Sequence, residues 1–223
     1  MERTFQRARQ PAQKEQRRLH LLETARALLE SGTGLQELTL NGLAREARMA
    51  KANVYRYFES REGVLLELLW GEWSRWFRRF SRRGRRPRDL SLRDLVTALT
   101  RSLCQERLLC ALTAALPGVI EQNLRDDTIR DFKLRCITFF GEVATFLEGC
   151  CATLEKAHYA SLVLDIAHAI MGLYPATHAA PAVARVLEAA DMRFFRRDFG
   201  DELERFALAL AMDHERTLVS GRR

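Results

Sequence analysis

Lys51, Asn53, Tyr55, Arg56 and Tyr57 place two cations, one amide and two phenols within a single short stretch. On a helix these side chains spread over about one and a half turns, a surface too polar and too aromatic for ordinary core. Cations meet phosphate oxygens, while amides and rings meet base edges, so the combination suits double-stranded DNA contacted through backbone and bases together. Tyr55 and Tyr57 stand two apart and cannot share a helix face, so at least one points outward.

Such a surface works only if its neighbours hold it rigid. Residues 39–63 predict two short helices joined by a tight turn, then the opening of another helix. Thr39 is an N-cap for Leu40–Ala47, which buries Leu40, Leu43 and Ala44; the reading helix covers Ala50–Phe58. Ser60 caps a helix over Arg61–Phe80 that carries Leu65, Leu66, Leu69, Trp73, Trp76, Phe77 and Phe80. Ahead of them, Lys14–Ser31 forms the first helix, with Leu22, Ala25, Leu28 and Leu29 on one face, and Gly32 and Gly34 stop it. Residues 1–13 are basic and polar and are expected as a flexible arm.

The charge is lopsided. Residues 1–88 hold 20 Lys and Arg against 10 Asp and Glu, and the remainder holds 16 against 19. A basic head on a mildly acidic body suits a polyanion partner. Cys104, Cys110, Cys136, Cys150 and Cys151 lie in apolar surroundings with no CxxC pair, and are read as buried free thiols of a reducing compartment. Cys150, Cys151 and His158 lack good tetrahedral spacing, so neither metal nor cofactor is expected. Cys136 or Asp165 beside His168 would sit on bundle helices without a Gly-rich loop or oxyanion site, which argues against an enzyme. The first thirty residues hold no apolar leader run, and no uninterrupted apolar stretch reaches about 18 residues. The expectation is a cytoplasmic protein that does not enter a membrane.

Beyond an Arg82–Arg88 linker the pattern is a helical bundle. Helices are expected over Ser91–Arg107, Leu108–Leu116, Asp126–Cys150, Glu155–Tyr174 (ended by Pro175), Ala182–Met192 and Asp198–Leu218. The fold class is therefore all-α: a three-helix N-terminal domain with a helix-turn-helix over 14–63, and a C-terminal bundle over 64–223.

The stretch Leu43-Ala44-Arg45-Glu46-Ala47, then Val54-Tyr55-Arg56-Tyr57-Phe58, then Ser60-Arg61-Glu62 resembles the TetR (tetracycline-repressor-like) family of bacterial transcription regulators. The likeness covers Leu21 to Leu69. Arg48 stands where the turn glycine is usual, Ala50 where a capping serine is usual, and Asn53 where threonine is usual. A Cβ at the turn costs about 1 kcal/mol, and a lost cap costs ~0.5–2 kcal/mol.

The resemblance implies a DNA-binding set of Thr39, Lys51, Asn53, Tyr55, Arg56, Tyr57 and Arg61. In it Thr39 holds a phosphate at the start of its helix, and Arg61 pins the flanking backbone. The Asn53 amide matches adenine N6 and N7 in the major groove, or serves as a polar surface residue meeting only phosphate or water. A homodimer on a near-palindromic operator is implied, because paired heads double the base contacts. Its interface would draw on Ala160, Leu164, Ala167, Leu203, Phe206, Leu210 and His214, unless these face the core of one subunit. A small apolar effector would sit among Leu112, Phe132, Arg135, Cys136, Phe139, Phe140, His168, Met171 and Tyr174, unless these simply fill the core. The regulator is expected to be a repressor released by that effector. An effector-independent architectural DNA-binding dimer is the alternative.

Overall fold

The computed structural model describes residues 2–83 and 90–221, and every regular element among them is helical, as the all-α expectation requires. The helices are α1 Glu2–Glu30, α2 Leu40–Glu46, α3 Lys51–Val54, α4 Arg61–Arg83, α5 Leu92–Cys104, α6 Arg107–Ala115, α7 Asp126–Cys150, α8 Lys156–Thr177, α9 Pro181–Leu187 and α10 Phe199–Gly221. A π-helical turn (Leu116–Ile120) and a 3-10 turn (Glu121–Asn123) join α6 to α7, and a 3-10 stretch (Ala190–Phe195) follows α9. The chain forms two compact units: Met1–Gly71 with Pro117–Leu124, and Glu72–Leu116 with Arg125–Arg223. The first turns of α4, through Gly71, therefore group with the head.

In the first unit, Leu21, Ala25, Leu38, Leu43, Ala44, Ala47, Val54, Phe58, Val64, Leu65 and Leu69 are buried, with α1 against α2 and α2 against α3. Arg18 on α1 reaches Glu67 on α4 at 3.4 Å. Helix α1 begins at Glu2, so the stretch expected as an arm is helical. Its Arg, Ala, Gln and Glu residues are strong helix formers and outweigh Pro11. Of the expected linker, Arg82 and Arg83 close α4, and 84–88 lie outside the described residues.

The second unit is built on aromatic contacts between α4 and α7. Trp73 meets Phe139 and Phe140 edge-on at 5.8 and 6.1 Å, and Phe77 meets Phe139 and Phe146 at 5.7 and 5.9 Å. Edge-to-face pairs at these separations add about 0.5–1.5 kcal/mol each beyond area burial. The buried Trp76 donates its indole N–H to Ser102 Oγ at 3.0 Å, tying α4 to α5. Helix α8 packs on α6, α7 and α10, and α10 also packs on α5. Buried Tyr159 on α8 donates to the Cys151 carbonyl at 2.9 Å, which fixes the α7–α8 connection.

Pro175 does not end α8, which continues to Thr177. A proline one turn from the end removes one N–H. There the Thr177 hydroxyl donates to the Leu173 carbonyl at 2.8 Å and the His178 N–H to the Tyr174 carbonyl at 2.9 Å, keeping the last turn closed. By length and composition α8 could cross a membrane, yet it packs in this bundle and only 28% of its apolar stretch is buried within the protomer.

Candidate nucleic-acid interface

The geometry of the head starts at Thr39. Its backbone is extended and its hydroxyl oxygen accepts the Gly42 N–H at 3.0 Å, the expected N-cap of α2. Helix α2 ends in a Schellman motif: the Arg48 N–H bonds to the Arg45 carbonyl at 3.1 Å and the Met49 N–H to the Ala44 carbonyl at 2.9 Å. This closure requires a left-handed residue, and Arg48 fills it at φ +53°. A side chain there costs on the order of 1 kcal/mol. His20 Nε2 on α1 lies 3.2 Å from the Ala47 carbonyl and so anchors the same turn.

The helix expected to read DNA is shorter than expected. Ala50 begins α3 with no side-chain cap, as its methyl dictates, and α3 ends at Val54 instead of Phe58. Beyond Val54 the bonds tighten, with Arg56 N–H to Asn53 and Tyr57 N–H to Val54, so Tyr55–Tyr57 form a 3-10-like turn. Burial of Val54 and Phe58 orients the stretch. Lys51, Tyr55 and Arg56 are exposed, Tyr55 at 51%, and Asn53 and Tyr57 are half-exposed. Among the described residues the Lys51 and Arg56 side chains have no hydrogen-bond or ionic partner.

An open hollow of about 590 Å³ lies beside this surface, lined by Thr39, Asn41, Arg45, Glu46 and Lys51 together with Leu28 and Leu38. Asn41 and Arg45, i and i+4 on the exposed face of α2, line this hollow, and their spacing is visible in the sequence.

Arg61 is already engaged inside the head. Its guanidinium donates to the Gln36 carbonyl at 2.8 Å and to Glu62 Oε1 at 2.7 Å, so it braces the loop before α2. Burial works against the charge of Glu62. Its own backbone N–H, Arg61 and Asn123 outweigh that and hold its carboxyl below the usual carboxylate range. The Ser60 hydroxyl accepts the Gly63 N–H at 3.1 Å, as the cap reading expects.

Two family models match the chain. One, described as bacterial regulatory proteins of the tetR family, covers residues 21–68. The other, described as a tetracyclin repressor-like C-terminal domain, covers residues 70–212. The chain belongs to the TetR family. It is a DNA-binding transcription regulator built from a helix-turn-helix domain and a helical C-terminal domain. No curated protein matches it.

In this TetR-family chain the residues expected to line an effector pocket differ in what they touch and in burial. Phe139 and Phe140 pack around Trp73, while Tyr174 stacks on His178 at 4.0 Å and donates its hydroxyl to the Arg107 carbonyl at 3.2 Å. Leu112 and Phe132 are buried, and Arg135, Cys136 and Met171 are half-buried. His168 is exposed, because the α8 period that turns Ile166, Ala167 and Ile170 inward turns it outward.

The expected dimer residues divide in the same way. Ala167 and Leu203 are buried within the protomer, which fits the core alternative for these two. Leu164 and Phe206 are exposed at 41% and 40%, and Ala160, Leu210 and His214 are half-exposed. His214 Nε2 lies 3.0 Å from Asp165 Oδ2, joining α10 to α8 beside that apolar surface. Among the described residues no group of three His, Cys, Asp or Glu side chains could hold a metal ion, so Cys150, Cys151 and His158 do not form one.

Proposed function

We propose that this regulator is a homodimeric repressor that reads a near-palindromic operator with Lys51, Asn53, Tyr55, Arg56 and Tyr57. The observation carrying the reading is the outward set Lys51, Tyr55 and Arg56 above a backbone fixed by buried Val54 and Phe58. Thr39 adds a hydroxyl whose proton is free to face a phosphate, since its oxygen is the acceptor in the cap. Arg61 acts as a brace for the head; a phosphate contact from it would compete with Gln36 and Glu62.

Dimerisation is assigned to the apolar surface of α8 and α10, through Leu164, Phe206, Ala160, Leu210 and His214. Its support is that α8 is strongly apolar yet mostly unburied in one protomer. A two-fold axis through such a patch makes a self-complementary interface. Residues 14–63 then bind DNA, and 64–223 dimerise and take up a small apolar effector that releases the operator.

Selection of bound sequences from random duplexes with the purified protein tests the reading. Enrichment of paired half-sites about one helical turn apart is the expected result. Recovery of unenriched duplexes would reduce the protein to a nonspecific DNA binder.

A further inference from the structure

Two residues among those described have a left-handed backbone, Gly32 at φ +108° and Arg48 at φ +53°. Both close a helix in the same way. Gly32 and Thr33 bond back to Leu29 and Leu28 at the end of α1, as Arg48 and Met49 bond back to Arg45 and Ala44 at the end of α2. The first closure uses the residue that accepts the conformation without strain, and the second uses arginine.

Among the described residues no contact of the Arg48 side chain offsets that choice. The Arg48 side chain is exposed and, among the described residues, has no hydrogen bond, ion pair or ring contact. A strained residue that persists without internal partners points to work done outside the fold. Arg45, Arg48 and Lys51 follow one another at three-residue intervals along the turn, and the acid beside them, Glu46, pairs at 3.3 Å with Arg45. Clustered cations repel one another in the free protein and are relieved by a polyanion.

We infer that Arg48 is a further DNA-contact residue. It grips a backbone phosphate beside the reading helix and supplies the contact that a hydroxyl at position 50 cannot make in this chain. The guanidinium offers a planar fork of donors to phosphate oxygens, reaching farther than a serine would. The inference rests on the DNA-binding reading above.

The test compares wild type, Arg48→Gly, Arg48→Lys and Lys51→Ala, all as the full chain. Duplex affinity is measured across a salt series on the selected duplex and on one of scrambled sequence. Arg48→Gly removes strain, so its Tm should rise by about 2–4 °C. Its affinity should fall by about tenfold or more on both duplexes, because a phosphate contact carries no sequence information. Its plot of log affinity against log salt should flatten by about 0.9 per lost contact, roughly two for a dimer. Arg48→Lys should keep most of the affinity and the wild-type slope.

If Arg48→Gly binds with unchanged affinity and slope while Lys51→Ala weakens binding, Arg48 is an ordinary surface residue and only this inference is overturned. If Lys51→Ala is also silent, or wild type holds neither duplex, the proposed operator-reading surface falls with it.

Discussion

Side chains on the proposed DNA-contact surface differ in what they can recognise. Lys51→Ala removes a point charge, so it should weaken every duplex alike and flatten the salt dependence by about 1 per protomer, as read by fluorescence anisotropy. Asn53→Ala should relax preference at one base pair by about 1–3 kcal/mol, visible as loss of one position in the selected motif. A phosphate-only or water-only role for Asn53 would leave the motif intact. In the bundle, burial with the Asp198 and Glu204 charges pushes the Cys104 thiol up to about 11. Its alkylation at pH 8 should be slower than that of an exposed thiol by more than about tenfold, measured by mass spectrometry. The unfolded chain ionises first, so this group contributes stability below the ordinary thiol range and loses it as pH climbs toward 11. The identities of these side chains were legible in the sequence, but their commitments were not. Arg61 reads as a free cation until the fold brings the Gln36 carbonyl and Glu62 beside it.

Helix starts were the most legible elements, because a cap is a local bond. Thr39 and Ser60 cap where their residue types require, and Ala50, with only a methyl, does not. Ala50→Ser should therefore raise stability by about 0.5–2 kcal/mol, seen as a higher denaturation midpoint. An unchanged midpoint would mean that α3 is held by packing alone. Helix ends were harder to read. The tightening after Val54 accompanies Phe58 reaching the core, and the run of α8 past Pro175 depends on the Thr177 hydroxyl donating to the Leu173 carbonyl. Periodicity reports neither. The basic composition of 1–13 suggested an arm, while its helix formers carry α1 through it.

For the whole molecule, the all-α class and the helix-turn-helix followed from pattern, and the family models agree over residues 21–212. Which apolar stripe faces inward did not follow, because α8 is apolar on several sides. Ala167 and Leu203 turned out to be core, and Leu164 and Phe206 surface. If that surface joins two protomers, Leu164→Asp with Phe206→Asp should yield monomers by sedimentation while helicity is retained. Operator affinity should then drop by orders of magnitude, since each head is left to bind alone. A dimer that survives both charges must be held elsewhere.

The brevity of α3 has one more consequence. Four residues closed by a tight turn hold too few internal hydrogen bonds to outlast nucleation, and isolated helices shorter than about 12–15 residues are marginal even in favourable sequences. A synthetic peptide copying Lys51–Phe58 would carry the same letters but no shape, and should ignore DNA. If this surface reads operators as proposed, its alphabet is not portable: it exists only while Leu43, Val54 and Phe58 stay packed beneath it, so heating that melts the head should silence reading and folding at one temperature.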